Sequence, residues 1–396
     1  MRKLFLIAGT AAMAVQPLAA AATEEAAVAV AVEQPAVLPE LYRPQDELER
    51  GLWLRMDEYE RDLLSSRQII QDEKLNAYVR SVLCNLVGEG ECRNIRLYLS
   101  HTPHFNASMA PNGVMQVWSG LLLRTQNEAQ LAAVLGHEYA HFKERHSVKL
   151  FRDAKKKSNA AAWLAMTGIG LIASFAIAGS LFRFSREQEQ EADVGGLALL
   201  DAAGYDTREA SVLWQQMIDE ENATRVARGK KKKNKTKAGM FDSHPASQER
   251  IDYLREAATG RPGVPGQSGQ AEFQAAMRSW WPVFLDDQLK MNDDGASEYL
   301  LDAMLKANGA TPWLNYGRAE LLRRNGEPED LAAAVEHYTQ AIEGGGDLPE
   351  LWRGRGLVHK KLGNAAAAKA DLEEYLVRAP EASDHAMISM ISGGIQ

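Results

Sequence analysis

The sequence predicts a mainly α protein: an α+β domain of helices around a small β-hairpin, followed by an α-helical repeat domain. Three observations predict it. Within residues 125–146, Leu131, Val134, Leu135 and Phe142 recur at three- and four-residue steps, which gives a helix with a buried face. Residues 95–99 alternate in polarity, and Pro111-Asn112-Gly113 is a turn signal inside 106–120. Residues 312–346 and 349–382 align with each other at an offset of 37, with a three-residue insertion around Glu327 to Glu329.

The bulk properties set the frame. A chain of 396 residues is long enough for two or three domains. With 45% hydrophobic and 25% charged residues it has the composition of a folded protein. Its net charge of −8 gives no case for nucleic-acid binding.

Residues 1–22 read as a secretory signal peptide. Arg2 and Lys3 form the charged start, Leu4 to Val15 the apolar stretch, and small residues allow cleavage near Ala20–Ala22. A retained anchor is the alternative, and the short apolar run disfavours it. Residues 23–40 are a flexible linker of Ala, Val, Glu and Pro. From Leu41 to about Leu86 apolar stripes mark helix. Cys84 and Cys92 lie eight apart around Gly88 and Gly90, so a short loop brings them together; in an exported chain the expectation is a disulfide, against two free thiols. The strand 95–99 and the hairpin at 106–120 follow. The strand around Val114 to Trp118 is expected to offer an edge to an extended peptide, with a plain structural hairpin as the alternative.

Thr125 and Glu128 form the pattern of a capping box and predict a helix start. On that helix His137 and His141 are four apart and project from one side, so their imidazoles can share a zinc ion, with Glu138 beside it as a general base. An amphipathic helix that merely carries two histidines is the competing reading. Residues 160–182 lack charge and are long enough to cross a bilayer. A single crossing would separate His137 and His141 from the best third ligand, so the segment is expected to be buried, interfacial or a hairpin. That third ligand is Glu189, one turn before Asp193 on the helix opened by Ser185; Asp193 would orient a ligating histidine, unless both are a solvated acidic face. Gly195 and Gly196 would let this helix pack close to the histidine helix. Residues 225–237, with six lysines and two arginines, read as a mobile, solvated loop, with an anionic membrane surface as a partner. Ser243-His244-Pro245 is read as a helix start with His244 near the cap, and Arg250 lies further along. Gly260 to Gln270 is a linker, placing domains at 41–260 and 273–396 with 261–272 between. Ala319, Ala334, Tyr338 and Ala341, then Gly356, Ala368 and Leu372, let paired helices pack closely in the tetratricopeptide manner.

Three stretches together carry a resemblance. His137-Glu138-Tyr139-Ala140-His141, Ser185 to Asp193, and His244-Pro245 with Arg250-Ile251 resemble the M48 family of zinc metallopeptidases. Asn106-Ala107 through Pro111, Gly113 and Gly120-Leu121-Leu122 is similar to that family's hairpin before the active helix. With the exported start and the repeats, the chain resembles the periplasmic BepA-type branch, envelope proteases and chaperones acting on outer-membrane proteins. The resemblance implies a zincin-like domain over about 41–256 and one zinc ion on His137, His141 and Glu189. It implies Glu138 as general base, Asp193 as the carboxylate that orients a ligating histidine, His244 as transition-state stabiliser or occluding fourth ligand, and Arg250 in support. The expected function is degradation of misfolded or stalled envelope proteins, with the outer-membrane assembly machinery as a partner through the repeats and peripheral membrane contact through 160–182 and 225–237. A chaperone acting through its repeats and an integral membrane protease are the alternatives.

Overall fold

The computed structural model describes residues 39–157, 184–235, 244, 246–261 and 266–394. The expected signal peptide, the linker up to residue 38, the uncharged run 160–182 and Pro245 lie outside the described residues. Among the described residues no helix is long and apolar enough to cross a membrane.

Helices α1 (Glu47–Ser65) and α2 (Glu73–Val87) each start on an aspartate whose carboxylate caps a free N–H: Asp46 accepts from Glu49 N and Asp72 from Leu75 N. A disulfide joins Cys84, near the end of α2, to Cys92 at the end of the short α3 (Glu89–Cys92), with the Cα atoms 5.1 Å apart.

The sheet has the strands β1 (Arg96–Ser100), β2 (Ala107–Met109) and β3 (Val114–Trp118) in the order β1-β3-β2. The hairpin at Pro111-Asn112-Gly113 is present, with Ser108 opposite Gln116. β1 runs parallel to β3, with Tyr98 opposite Gln116. The central position of β3 overturns the expectation that Val114 to Trp118 is an edge: both of its sides are paired. The edges are β1, whose end is bridged by Ile69 at Ser100, and β2. Asn106 O accepts from Trp118 N, and Ala110 N donates to Val114 O. Antiparallel alternation therefore turns the N–H and C=O of Ala107 and Met109 away from β3.

After β3 the chain enters α4 (Ser119–Arg124), then α5 (Glu128–Lys143), the helix of the histidine pair. The expected capping box is not formed. Asn127 is the cap and accepts from Gln130 N, while Thr125 closes α4. Glu128 instead accepts from the hydroxyls of Tyr78 and Tyr205. Every α5 residue from Ala129 to Phe142 except Ala133 is buried, so α5 is the axis of the core. Around it come α6 (His146–Lys157), α7 (Arg186–Ala202), α8 (Arg208–Ala227) and α9 (Gln248–Thr259). Ser185 and Gln188 form a reciprocal capping box on α7.

Helices α10 (Gln270–Met277), α11 (Trp281–Lys290) and α12 (Asp294–Asn308) follow the glycine-rich stretch, yet Phe273, Met277, Trp281, Phe284 and Leu300 belong to the same core as α5. Packing thus crosses the expected 261–272 boundary. A second core starts at Tyr316 and runs to Ile388. It is built by the helix pairs α13 (Pro312–Asn325) with α14 (Pro328–Glu343) and α15 (Glu350–Lys361) with α16 (Ala365–Arg378), closed by α17 (His385–Gly393). Ala319, Ala334, Tyr338 and Ala341 are fully buried there, as the small-residue pattern predicts.

Candidate metal centre

The site is assembled on two helices that touch backbone to backbone. Gly196 of α7 faces His137 of α5: a Cβ on Gly196 would sit 3.1 Å from His137 N and 3.3 Å from His137 Cα. A Cβ on Gly195 would sit 3.0 Å from that of Ala140. This close approach, expected from the two glycines, sets Glu189 and Asp193 against the histidine pair.

His137 Nε2 and His141 Nε2 are 3.0 Å apart. His244 Nδ1 lies 3.0 Å from His137 Nε2 and 2.8 Å from Glu189 Oε1. One ligand atom from each of His137, His141, Glu189 and His244 falls within 4.8 Å of the others, and all four side chains are buried. Glu189 Oε2 is buried without a hydrogen-bond partner, although Arg250 Nη1 is 3.2 Å away. Converging imidazole nitrogens and a carboxylate oxygen with unused acceptor capacity are what a bound cation would satisfy, and three nitrogens with one oxygen suit zinc. The four residues fit a metal ion.

The surrounding groups hold these donors in place. His137 Nδ1 lies 2.9 Å from Asp193 Oδ1, which leaves Nε2 facing the cluster. Arg250 grips Asp193 through Nε at 2.7 Å and Nη2 at 2.6 Å, and its guanidinium lies 3.9 Å over the Trp214 ring. Tyr253 OH also donates to Asp193. Phe184 stacks on His141 at 4.1 Å and on His244 at 5.3 Å.

The electrostatics follow from burial and neighbours. Burial pushes the Glu138 carboxyl up, beyond what the nearby imidazoles offset. Burial would also raise Glu189 and Asp193, but His244 and Arg250 outweigh it at Glu189, and Arg250 and His137 outweigh it at Asp193, so both stay below the ordinary carboxylate range. Burial drives His141 well down. It acts the same way on His244, where Glu189 and Glu138 overcome it and raise the imidazole.

All the sequence-predicted site residues, His137, Glu138, His141, Glu189, Asp193, His244 and Arg250, thus meet in one place. His244 does so differently from expected. The cap of α9 is Ser247, which accepts from Arg250 N, and His244 lies three residues before it, turned into the cluster. Sequence reasoning missed His146, Phe184, Trp214 and Tyr253. His146 carries a faint signal, as a third histidine five residues after His141; the aromatic residues carry none. The stretch Lys230–Lys233 is exposed but not a free loop: Arg225 Nε donates to Lys231 O, Asn222 exchanges two hydrogen bonds with the Lys233 backbone, and Lys235 bridges Ser247.

A small sheet beside a buried His-Glu-x-x-His helix, completed by a glutamate from a second helix, defines a metal-dependent peptidase domain. Residues 69–258 match peptidase family M48 and form a domain of that kind. It is 33% identical over 213 residues to the mitochondrial metalloendopeptidase OMA1 of Schizosaccharomyces pombe, covering 52% of this chain and 58% of that one. It is 28% identical over 222 residues to a putative beta-barrel assembly-enhancing protease of Vibrio cholerae, covering 52% and 44%. The beta-barrel assembly-enhancing protease of Escherichia coli is 27% identical over 180 residues, covering 41% and 37%. The chain therefore spans about half the length of the curated relatives it matches.

Proposed function

We propose that the protein is an exported zinc metalloendopeptidase that cleaves unfolded or misassembled envelope proteins. The observation that carries this reading is the convergence of His137, His141, Glu189 and His244, with Glu138 on the adjacent turn. His137, His141 and Glu189 would hold the zinc ion. Zinc there supplies Lewis acidity and brings a water into the range of ionisation near neutral pH. Glu138, whose carboxyl burial keeps proton-seeking, takes the proton of the attacking water and delivers it to the leaving amine. His244, with Nδ1 in the cluster and Nε2 3.4 Å from Glu138 Oε1, would serve as a fourth ligand that closes the resting site or as a donor to the oxyanion.

Substrate pairs with β2. Met109 of β2 and His141 line one small cavity, which supports this placement. The paired helices α13 to α16 act as tetratricopeptide-like repeats that recruit substrate, and outer-membrane assembly machinery is the partner we assign to them. Relatives named beta-barrel assembly-enhancing protease support a role towards envelope proteins, and the apolar stretch at residues 4–15 supports the periplasm. The row Lys230–Lys233, exposed on a tied backbone, supports peripheral contact with anionic lipid.

The test is incubation of the zinc-loaded mature chain with an unfolded protein substrate. Glu138→Gln is expected to lower cleavage by about 10²–10⁴-fold. His244→Ala is expected to cleave faster than wild type. Zinc bound one to one without cleavage by any form would overturn the peptidase reading in favour of a chaperone.

A further inference from the structure

The two histidines of α5 are held by different means, and only one of the two has its partner accounted for above. His137 Nδ1 meets the carboxylate of Asp193 directly. His141 Nδ1 meets a third imidazole, His146, whose Nδ1 is 2.8 Å away. His146 is fully buried, and its other nitrogen, Nε2, lies 3.0 Å from Glu191 Oε2. Glu191 is on α7, between Glu189 and Asp193, with half of its side chain exposed.

The reading of His141 as a ligand through Nε2 fixes the hydrogens along this chain. An imidazole that offers Nε2 to a cation carries its proton on Nδ1. That proton points at His146 Nδ1, which accepts only if His146 carries its own proton on Nε2. His146 Nε2 then donates to the Glu191 carboxylate. Every donor meets an acceptor, and only one assignment of tautomers achieves this.

The backbone is bent to make this contact. Arg145, between α5 and α6, has φ of +54°, a left-handed conformation that side chains other than glycine and asparagine seldom adopt. Its guanidinium is fixed from three sides: Nη2 lies 2.5 Å from Glu49 Oε2, Nη1 donates to Leu41 O at 3.3 Å, and the group lies 5.6 Å over Trp53. This turn reverses the chain after the end of α5 and brings His146, the first residue of α6, back over His141. The left-handed residue ends α5, with Arg145 N donating to Phe142 O, and its anchored side chain holds the turn.

We propose that His146 is the positioning residue of the metal site, fixing the tautomer and ring rotation of His141 through a His141–His146–Glu191 relay. The proposal deepens the zinc reading above and rests on it. α7 then serves both histidines, through Asp193 for one and through Glu191 and His146 for the other. Partners of this kind typically change metal affinity by about 10–100-fold.

The test measures zinc affinity of the full chain by competition with a chromophoric chelator, alongside thermal unfolding of the metal-free protein. His146→Leu is expected to weaken zinc binding by about 10–100-fold. His146→Asn, whose Oδ1 stands where Nδ1 accepts, is expected to restore affinity to within about threefold of wild type, although it fills the cavity no better than leucine. Glu191→Ala, a change at a half-exposed position, is expected to cause a smaller loss, below about tenfold. Unchanged affinity in His146→Leu, equal losses in the Leu and Asn variants, or unchanged affinity in Glu191→Ala would each overturn the relay and leave the peptidase reading standing. A wild-type chain that takes up no zinc would overturn the metal reading beneath it.

Discussion

At the scale of single residues, charges in this protein are held by specific partners. Asp206 shows this away from the metal centre. Its carboxylate accepts from Arg208 Nε and Nη2, from Arg208 N and from Gly266 N, tying the start of α8 to the loop before α10. The Arg208 guanidinium, helped by the backbone N–H groups, lowers its pKa to about 2. A carboxyl lowered in the folded state adds stability above its unfolded value, near 3.9, and loses it as pH falls through the folded value. Urea melts should therefore show the gap between wild type and Asp206→Asn at pH 6, and the gap should narrow as pH falls from about 4 towards 2. A gap independent of pH would refute the assignment. Among the site residues, His137, Glu138 and His141 were legible from spacing alone, because four residues make one helical turn. Glu189 and Asp193 were legible for the same reason. His244 and Arg250 were not: they reach the cluster across a loop, and only the resemblance pointed to them. His146 escaped because its contact depends on a left-handed arginine, which no residue pattern announces.

At the scale of elements, two small features set how the helices lie. Gly196 brings α7 onto the backbone of α5. Gly196→Ala would press a methyl group on His137 N and Cα, which cannot move without moving the ligand itself. We expect a stability loss of about 1–3 kcal/mol together with weaker zinc binding, read by denaturant titration and chelator competition. A variant as stable and as zinc-avid as wild type would show that the helices have slack there. The Cys84–Cys92 disulfide closes a short loop at the end of α2. Cys84→Ser should lower stability by about 2–3 kcal/mol under oxidising conditions and make no difference after reduction. The strands were legible as strands, through alternation and the Pro-Asn-Gly turn. Their order was not, because the parallel pairing of β1 with β3 is a long-range contact that alternation does not encode. That is why the edge was expected on β3, whereas the edges are β1 and β2.

At the scale of the whole molecule, the glycine-rich stretch after α9 looks like a boundary, and the buried groups ignore it. Arg124 at the end of α4 binds Glu220 of α8 through Nε and Nη2 and Gln288 of α11 through Nη2 at 2.7 Å, all three buried. Arg124→Met would leave the Glu220 carboxyl without its partner in the interior, an expected loss of about 3–5 kcal/mol by urea denaturation. Arg124→Met combined with Glu220→Leu should recover much of it. The stretch misled because composition reports local chain freedom, whereas Phe273, Met277 and Trp281 beyond it are apolar residues that complete the peptidase core. The helix pairs were legible because their small residues recur, at an offset of 37 that falls to 34 past Glu327–Glu329. This bears on grafting experiments. A chimaera that exchanges the C-terminal helix pairs for another module has its natural seam around α13, where the first core ends at Leu321 and the second begins at Tyr316. A splice at residues 260–270 would instead strip three helices from the core that holds α5, and the loss of activity that followed would be mistaken for an effect of the exchanged helices.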